Sequence, residues 1–461
     1  MNKVLFFYPS FVGEGSETTL YTDIPLSVVS LANSLHGKFE IEIMDERVTP
    51  VHDLDSVLKD VMAVGISSTT SNQIINGLHF AEKVRQYNEN IKIIWGGWHP
   101  SLMPEETLRH ELVDVVIQGQ GEVIMEKLLT CLKESGDLHT VPNIWFKSKD
   151  GTIIRTRRQE FLDLQMPHSM KNGYRYVKMT DYIHAGWGNH RILGYESSRG
   201  CPFQCRFCSI SSLFQRKWYG IPASYIFEDI CFLKSNFKID AIHFFDNNFF
   251  VEKERAFMLA HLLKEGNVNI RWDGTVVIQQ FLKLNRKEIE LLKQSGCYRM
   301  IVGIESGDEE VLTHIHKEHR REDVLELVRR CKEFELLPSL SFMIGFPWNP
   351  QKDMEHTIAL IEEIKNIYHE TEILLFLFSP YLGTPLYEVA KAAHMIFPED
   401  LAGWAKFTYD RPNTPWLTEG LIRKMNRYLS FFGTKQMAKE QKAFYKGFEC
   451  ENVCGDKRER R

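Results

Sequence analysis

The sequence predicts an α/β protein: a doubly wound parallel sheet, then a partial (β/α)6 barrel, then a small helical C-terminal region. Three observations lead there. Short apolar runs alternate with amphipathic stretches of helical period along most of the chain. Residues 140–190 interrupt that alternation. The chain has 461 residues, 43% hydrophobic and 25% charged, enough to bury a large core without disulfide staples. The expected divisions are 1–140 for the first sheet, 141–190 for a hairpin and linker, 191–388 for the barrel and 389–461 for the helical region.

In the first sheet, strands are expected over 3–8, 41–45, 63–67, 91–95 and 113–118. Helical patterns lie between and after them over 26–35, 51–61, 73–87, 104–110 and 122–132. Ligands of such sheets sit at the carboxyl ends of the strands. Those ends carry Ser67-Ser68-Thr69-Thr70, Gly96-Gly97-Trp98-His99-Pro100 and Gly119-Gln120-Gly121-Glu122. Asp150-Gly151, between apolar runs at 143–147 and 152–156, is a hairpin signal. The stretch 163–170 around Pro167 reads as an irregular linker. Barrel strands follow at 194–198, 241–245, 270–275, 300–304, 340–344 and 373–378, with helices at 225–235, 252–264, 286–295 and 321–334. Beyond Leu386 the pattern is helical to about Phe448, before a frayed tail.

Charge narrows the function. A net charge of −5 leaves no basic footprint for nucleic acid. The richest apolar run, 373–378, falls far short of the roughly 20 residues of a bilayer span, so no membrane partner is expected. The apolar stretch before Pro9 is too short for a signal peptide. The expectation is a cytoplasmic chain whose nine cysteines serve as ligands, nucleophiles or buried thiols.

Chemistry concentrates in Cys201-Pro202-Phe203-Gln204-Cys205-Arg206-Phe207-Cys208. Thiolates suit zinc or iron–sulfur clusters. A structural zinc site needs four ligands in paired units, and no second pair stands nearby. Three thiolates on a cubane leave one iron open to a substrate or cosubstrate.

This C-x3-C-x-aromatic-C loop resembles that of the radical S-adenosylmethionine (SAM) enzymes. The resemblance implies that Cys201, Cys205 and Cys208 hold a 4Fe–4S cluster whose open iron chelates SAM, and that Phe207 lies near the adenine. Asp246-Asn247-Asn248-Phe249 stands where that family binds the methionyl amino group. Gly303-Ile304-Glu305-Ser306-Gly307 looks like its motif near the ribose and methionyl part. Phe342-Met343-Ile344-Gly345-Phe346-Pro347 resembles a further strand-end motif, with Trp348 and Asn349 where Gly and Glu are common. Gly383-Thr384-Pro385-Leu386-Tyr387 matches at the barrel's end.

The first half resembles the cobalamin-binding domain attached to one subgroup of these enzymes. The resemblance implies cobalamin contacts from Ser67, Thr69, Gly96, Gly97, His99, Gly119, Gly121 and Glu122. A dinucleotide fits less well, because Gly13-Glu14-Gly15-Ser16-Glu17-Thr18 has Thr in the third glycine's place. The Asp-x-His-x-x-Gly of cobalamin mutases is missing: Asp137-Leu138-His139-Thr140-Val141-Pro142 lacks the Gly and follows the last helix. His99 is read as a loop hydrogen-bonder, not a cobalt ligand. Cys131, Cys231, Cys297 and Cys331 are expected to be core thiols, Cys450 and Cys454 too few for an auxiliary cluster, and Trp404 and Trp416 core residues. His314, His316 and His319 are read as a solvated helix start.

The resulting expectation is a cobalamin-dependent radical SAM methyltransferase. It would act on a small molecule or peptide, with an electron donor such as flavodoxin or ferredoxin. The alternatives are a cyclase or rearrangement enzyme with the same cofactors, and a non-catalytic cobalamin or redox sensor.

Overall fold

The computed structural model describes residues 2–12, 22–48, 53–159, 168–187, 189–407 and 414–432. The Gly13 to Thr18 string, most of the 163–170 linker, Cys450, Cys454 and the chain end lie outside the described residues.

Alternating apolar runs give two seven-stranded sheets. The first holds β1 (Lys3–Tyr8), β2 (Glu40–Asp45), β3 (Val61–Ser67), β4 (Lys92–Gly96) and β5 (Val115–Ile117) in the parallel order β2-β1-β3-β4-β5. The antiparallel hairpin β6 (Ile144–Lys147) and β7 (Ile153–Arg155) extends it. Both faces are covered by helices, so β1 reads as continuous buried Val4, Leu5, Phe6 and Phe7. The strand order reverses between β1 and β3, the place where such sheets open a crevice.

The second sheet begins with an antiparallel edge, β8 (His184–Gly186), against β9 (His190–Tyr195). A short ribbon, β10 (Ser198–Gly200) with β11 (Trp218–Gly220), brackets the cysteine loop. Then come β12 (Ala241–Phe244), β13 (Arg271–Thr275), β14 (Cys297–Glu305), β15 (Leu337–Ile344) and β16 (Glu372–Leu377). The order β16-β15-β14-β13-β12-β9-β8 gives six parallel strands without closure. The fold is thus the predicted α/β class, a doubly wound sheet followed by a partial barrel.

Several elements differ from expectation. The helix expected over 51–61 is Leu54–Leu58 among the described residues, because Asp60 takes a left-handed φ of +61° and Val61 already opens β3. The strand expected over 194–198 stops at Tyr195. Ser197 breaks the ladder there by giving both its N–H and its hydroxyl to Asp246, and Ser198 starts the separate ribbon. The 18-residue helix Pro350–Ile367 had no counterpart in the predicted helices, although Asn349 caps its start and Pro350 opens it.

The C-terminal stretch, expected to be helical, sends Leu401 and Trp404 into the core of the first sheet with Ile74, Leu78 and Trp95. The helix Glu419–Phe432 lies along β16, and Trp416 donates from Nε1 to the Gly345 carbonyl at 2.9 Å. Cys297 and Cys331 are buried as expected, whereas Cys131 and Cys231 are half-buried.

Candidate functional site

The carboxyl ends of the two sheets face each other across a cavity of about 510 Å³. One wall is the crevice of the first sheet: Ser67, Thr69, Gly96, Gly97, Gly119 and Gly121 all line it. The facing wall comes from the ends of β9 and β12, through Glu196, Arg199, Phe245 and Asn247, and from Ser212 to Gln215 just past the cysteine loop.

The first wall is shaped by missing side chains. Gly97 has φ +96°, and a Cβ there would sit 2.7 Å from the Ser68 carbonyl oxygen, so only glycine fits. Gly119, at φ +90°, has open space where a Cβ would stand. Ser101 joins the two loops by donating from Oγ to Gly97 O at 2.6 Å and accepting from Gly119 N at 2.9 Å. Thr69 is held by Gln73, which takes its N–H at 3.0 Å. The result is a flat, rigid and mostly uncharged floor, a donor set and shape that fit a corrin with its amide side chains.

His99 does not line this cavity. It is fully buried beside Trp404, with ring centroids 5.9 Å apart, and its Nδ1 is 2.9 Å from Thr70 Oγ1. Burial pulls its pKa down to about 3, so the ring is neutral. The structure places His99 behind the floor, as a hydrogen-bond partner of Thr70.

The cysteine loop is pinned from outside. Arg206 N donates to Ile315 O and its Nη1 to His314 O, each at 3.1 Å, and Cys208 N closes a turn on Cys205 O at 3.2 Å. His314 is no solvated histidine: it stacks on Trp348 at 4.3 Å. The three thiols are half-buried neighbours that influence one another electrostatically. Burial raises the pKa of each, that of Cys208 to about 12, so without a bound metal they stay protonated. Among the described residues no three His, Cys, Asp or Glu groups converge on a single ion. A cubane fits this spacing better than zinc does, because each thiolate then caps its own iron.

Around the loop, the strand ends carry tied side chains. Asp246 is 2% exposed and turns inward, accepting from Ser197 N at 2.7 Å and Ser197 Oγ at 2.6 Å, with Arg255 at 3.5 Å. Asn248 is also buried, bonded to Gln280. Of this trio Asn247 alone is exposed, and its Oδ1 accepts from Gly200 N at 3.1 Å. Glu305, at φ +72°, pairs with Lys317 at 3.0 Å, and Lys317 also donates to Gly303 O at 3.1 Å and lies 5.9 Å from the Phe207 ring. Burial works against the Lys317 charge, but Glu305 and Cys205 outweigh it and hold the pKa up. Ser306 is fully buried and donates to Asp353, which also accepts from Gly345 N at 3.2 Å. Asp246, Asn248 and Ser306 are therefore tied to protein partners and hold the backbone at these strand ends.

Three site residues escaped the sequence reading. Lys317, between His316 and His319, carries no local signal of its own. Glu196 was hidden in a predicted strand and Arg199 directly followed it, although an Arg between Ser198 and Gly200, two places before the first cysteine, is a visible signal.

Comparison with known proteins settles the class. The Radical SAM superfamily description matches residues 195–361, and the B12 binding domain description matches residues 18–129. The chain is a radical SAM enzyme with a B12-binding domain. Its cofactors are SAM, a 4Fe–4S cluster and cobalamin. An uncharacterized methyltransferase of Pyrococcus horikoshii is 27% identical to this radical SAM enzyme over 439 residues, 93% of this chain and 92% of the relative. An anaerobic magnesium-protoporphyrin IX monomethyl ester cyclase of Synechocystis is 22% identical over 406 residues, 86% and 78% of the two chains. The structure of the radical SAM methyltransferase TsrM of Kitasatospora setae, with cobalamin and its cluster bound, superposes with a TM-score of 0.68 at 16% identity. That match covers 86% of this chain and 79% of TsrM and reflects a shared fold. Among the described residues, no helix is long and apolar enough to cross a membrane.

Proposed function

We propose that this radical SAM enzyme methylates an unactivated carbon, or a phosphinate, of a small molecule or peptide. The observation that carries the reading is a cavity walled by both strand-end faces, so that a substrate there meets the B12-binding floor on one side and Arg199, Asn247 and Ser212 to Gln215, which flank the cysteine loop, on the other. When bound, SAM and the cluster supply hydrogen-atom abstraction, and cobalamin supplies a methyl group that can leave to a carbon radical.

The chain's own residues bind and orient. Cys201, Cys205 and Cys208 hold the cluster, and Phe207 lines the adenine side. Asn247, with the backbone of Gly303, Glu305, Ser306 and Gly345, positions SAM. Ser67, Thr69, Gly96, Gly97, Gly119, Gly121 and Glu122 would hold the corrin. An electron donor such as flavodoxin or ferredoxin supplies the reductant.

The Pyrococcus relative, named a methyltransferase and matched nearly end to end, favours methylation. The Synechocystis relative, named a cyclase, keeps ring closure as the second reading. Methyl-deuterated SAM separates the two. Methylation places a trideuteromethyl group on the product, with S-adenosylhomocysteine and 5′-deoxyadenosine each formed at about one per product. If 5′-deoxyadenosine forms with the true substrate and no methyl moves, the cyclase reading replaces this one.

A further inference from the structure

Four hydrogen bonds converge on one side chain between the two halves. Arg199 Nη1 donates to Gln120 Oε1 at 2.5 Å and to Glu122 Oε1, Nη2 donates to Ser30 Oγ at 3.3 Å, and Nε donates to Glu196 Oε2 at 2.8 Å. Ser30 Oγ in turn donates to Glu122 at 2.6 Å. Gln120, Glu122 and Ser30 belong to the first half, Arg199 and Glu196 to the second. The Arg199 side chain is 9% exposed and that of Glu122 7%, so this pair is sheltered from solvent. Burial opposes both charges, but each partner outweighs it, holding Glu122 ionised and Arg199 protonated.

The network is continuous with both cofactor walls. On the floor side, Gln120 and Glu122 follow Gly119, whose N–H is fixed through Ser101 to Gly97. On the cluster side, Arg199 stands two residues before Cys201, with little slack between. Gly200 has φ +83°, a Cβ there would meet Lys217 O at 2.1 Å, and its N–H is held by Asn247. Arg199 is itself paired with Tyr219 in the ribbon. A guanidinium fork suits this task because it holds several acceptors in one plane, which an ammonium cannot do.

We infer that Arg199 is a positioning residue that fixes the cysteine loop against the corrin floor and so sets the spacing between the two metal centres. The inference rests on the cofactor assignment proposed above. It is a role in geometry: Arg199 need not touch substrate.

The test is pulsed dipolar EPR between cob(II)alamin and the reduced cluster in the full chain, with iron, sulfide and cobalamin content measured on each sample. Wild type is expected to give one narrow distance. Arg199→Met should keep both cofactors yet broaden the distribution by about twofold or more, because a site left without its supporting bonds loosens on the ångström scale. Arg199→Lys should recover only part of the narrowing. If Arg199→Met does not fold, Gln120→Met serves instead, since it removes a floor-side acceptor of Arg199 while keeping similar bulk, and it should also broaden the distance. A distribution as narrow as wild type in Arg199→Met, or in Gln120→Met where that variant stands in, overturns the inference. A wild-type chain that takes up no cobalamin or no cluster overturns the cofactor assignment, and the brace with it.

Discussion

At the strand ends of the first sheet, Gly96, Gly97, Gly119 and Gly121 present bare backbone to the cavity. At those of the second sheet, Asp246, Glu305 and Ser306 present side chains already tied to Ser197, Lys317 and Asp353. The first set of strand ends works by leaving volume empty, the second by holding polar groups in fixed places. The contrast teaches opposite mutational rules. On the floor, adding atoms does the damage. On the barrel rim, removing atoms does, because a buried partner is left unpaired.

The largest expected effect lies on the rim. Alanine at Cys201, Cys205 or Cys208 should abolish activity and drop iron and sulfide to background after anaerobic reconstitution, while cobalamin uptake persists. A triple alanine chain that still carries a 4Fe–4S cluster would remove the rim from the comparison altogether. Next is Lys317→Met. It strands the Glu305 carboxylate, whose side chain is 9% exposed, and should cost about 3 kcal/mol in urea unfolding of the cluster-free chain. Adding Glu305→Gln to it should restore much of that loss; if the double variant is weaker still, the pair is not coupled.

On the floor, Gly97→Ala should cost about 1–3 kcal/mol through its positive φ and the Ser68 carbonyl, and lower the cobalamin retained per chain. Retention equal to wild type, measured by absorbance after gel filtration, would mean that the corrin lies elsewhere.

The smallest effect concerns His99. Its folded pKa is about 3 against 6.5 unfolded. Between those values the unfolded chain binds a proton that the buried ring refuses, so stability is full above pH 6.5 and falls as pH drops toward 3. His99→Gln should flatten that part of the urea midpoint's pH dependence and leave the cob(II)alamin EPR spectrum unchanged. Nitrogen splitting that disappears in this variant would put His99 on cobalt and contradict its burial behind the floor.

Period and strand-end composition made both sheets legible. The strand Lys3–Tyr8 and the helices Leu26–Leu35 and Gln73–Tyr87 stand where the apolar spacing puts them. Local signals also exposed the cysteine loop, whose ligands lie within eight residues. What stayed hidden depends on distant partners. Lys317 looks like a surface charge until Glu305 is seen beside it, and Arg199 gains its meaning from Gln120 and Glu122, nearly eighty positions earlier. The edge strand His184–Gly186 is only three residues long and carries no alternation to read.

Trp404 has a consequence for how the chain comes to be made. It fills the first sheet's core beside Trp95, although some three hundred residues separate the two. At ribosomal speeds the N-terminal half waits roughly 15–60 s for that plug to emerge. During that interval the face later sealed by Leu401 and Trp404 is bare, so a nascent chain stalled before residue 400 should be a better chaperone client than one released whole.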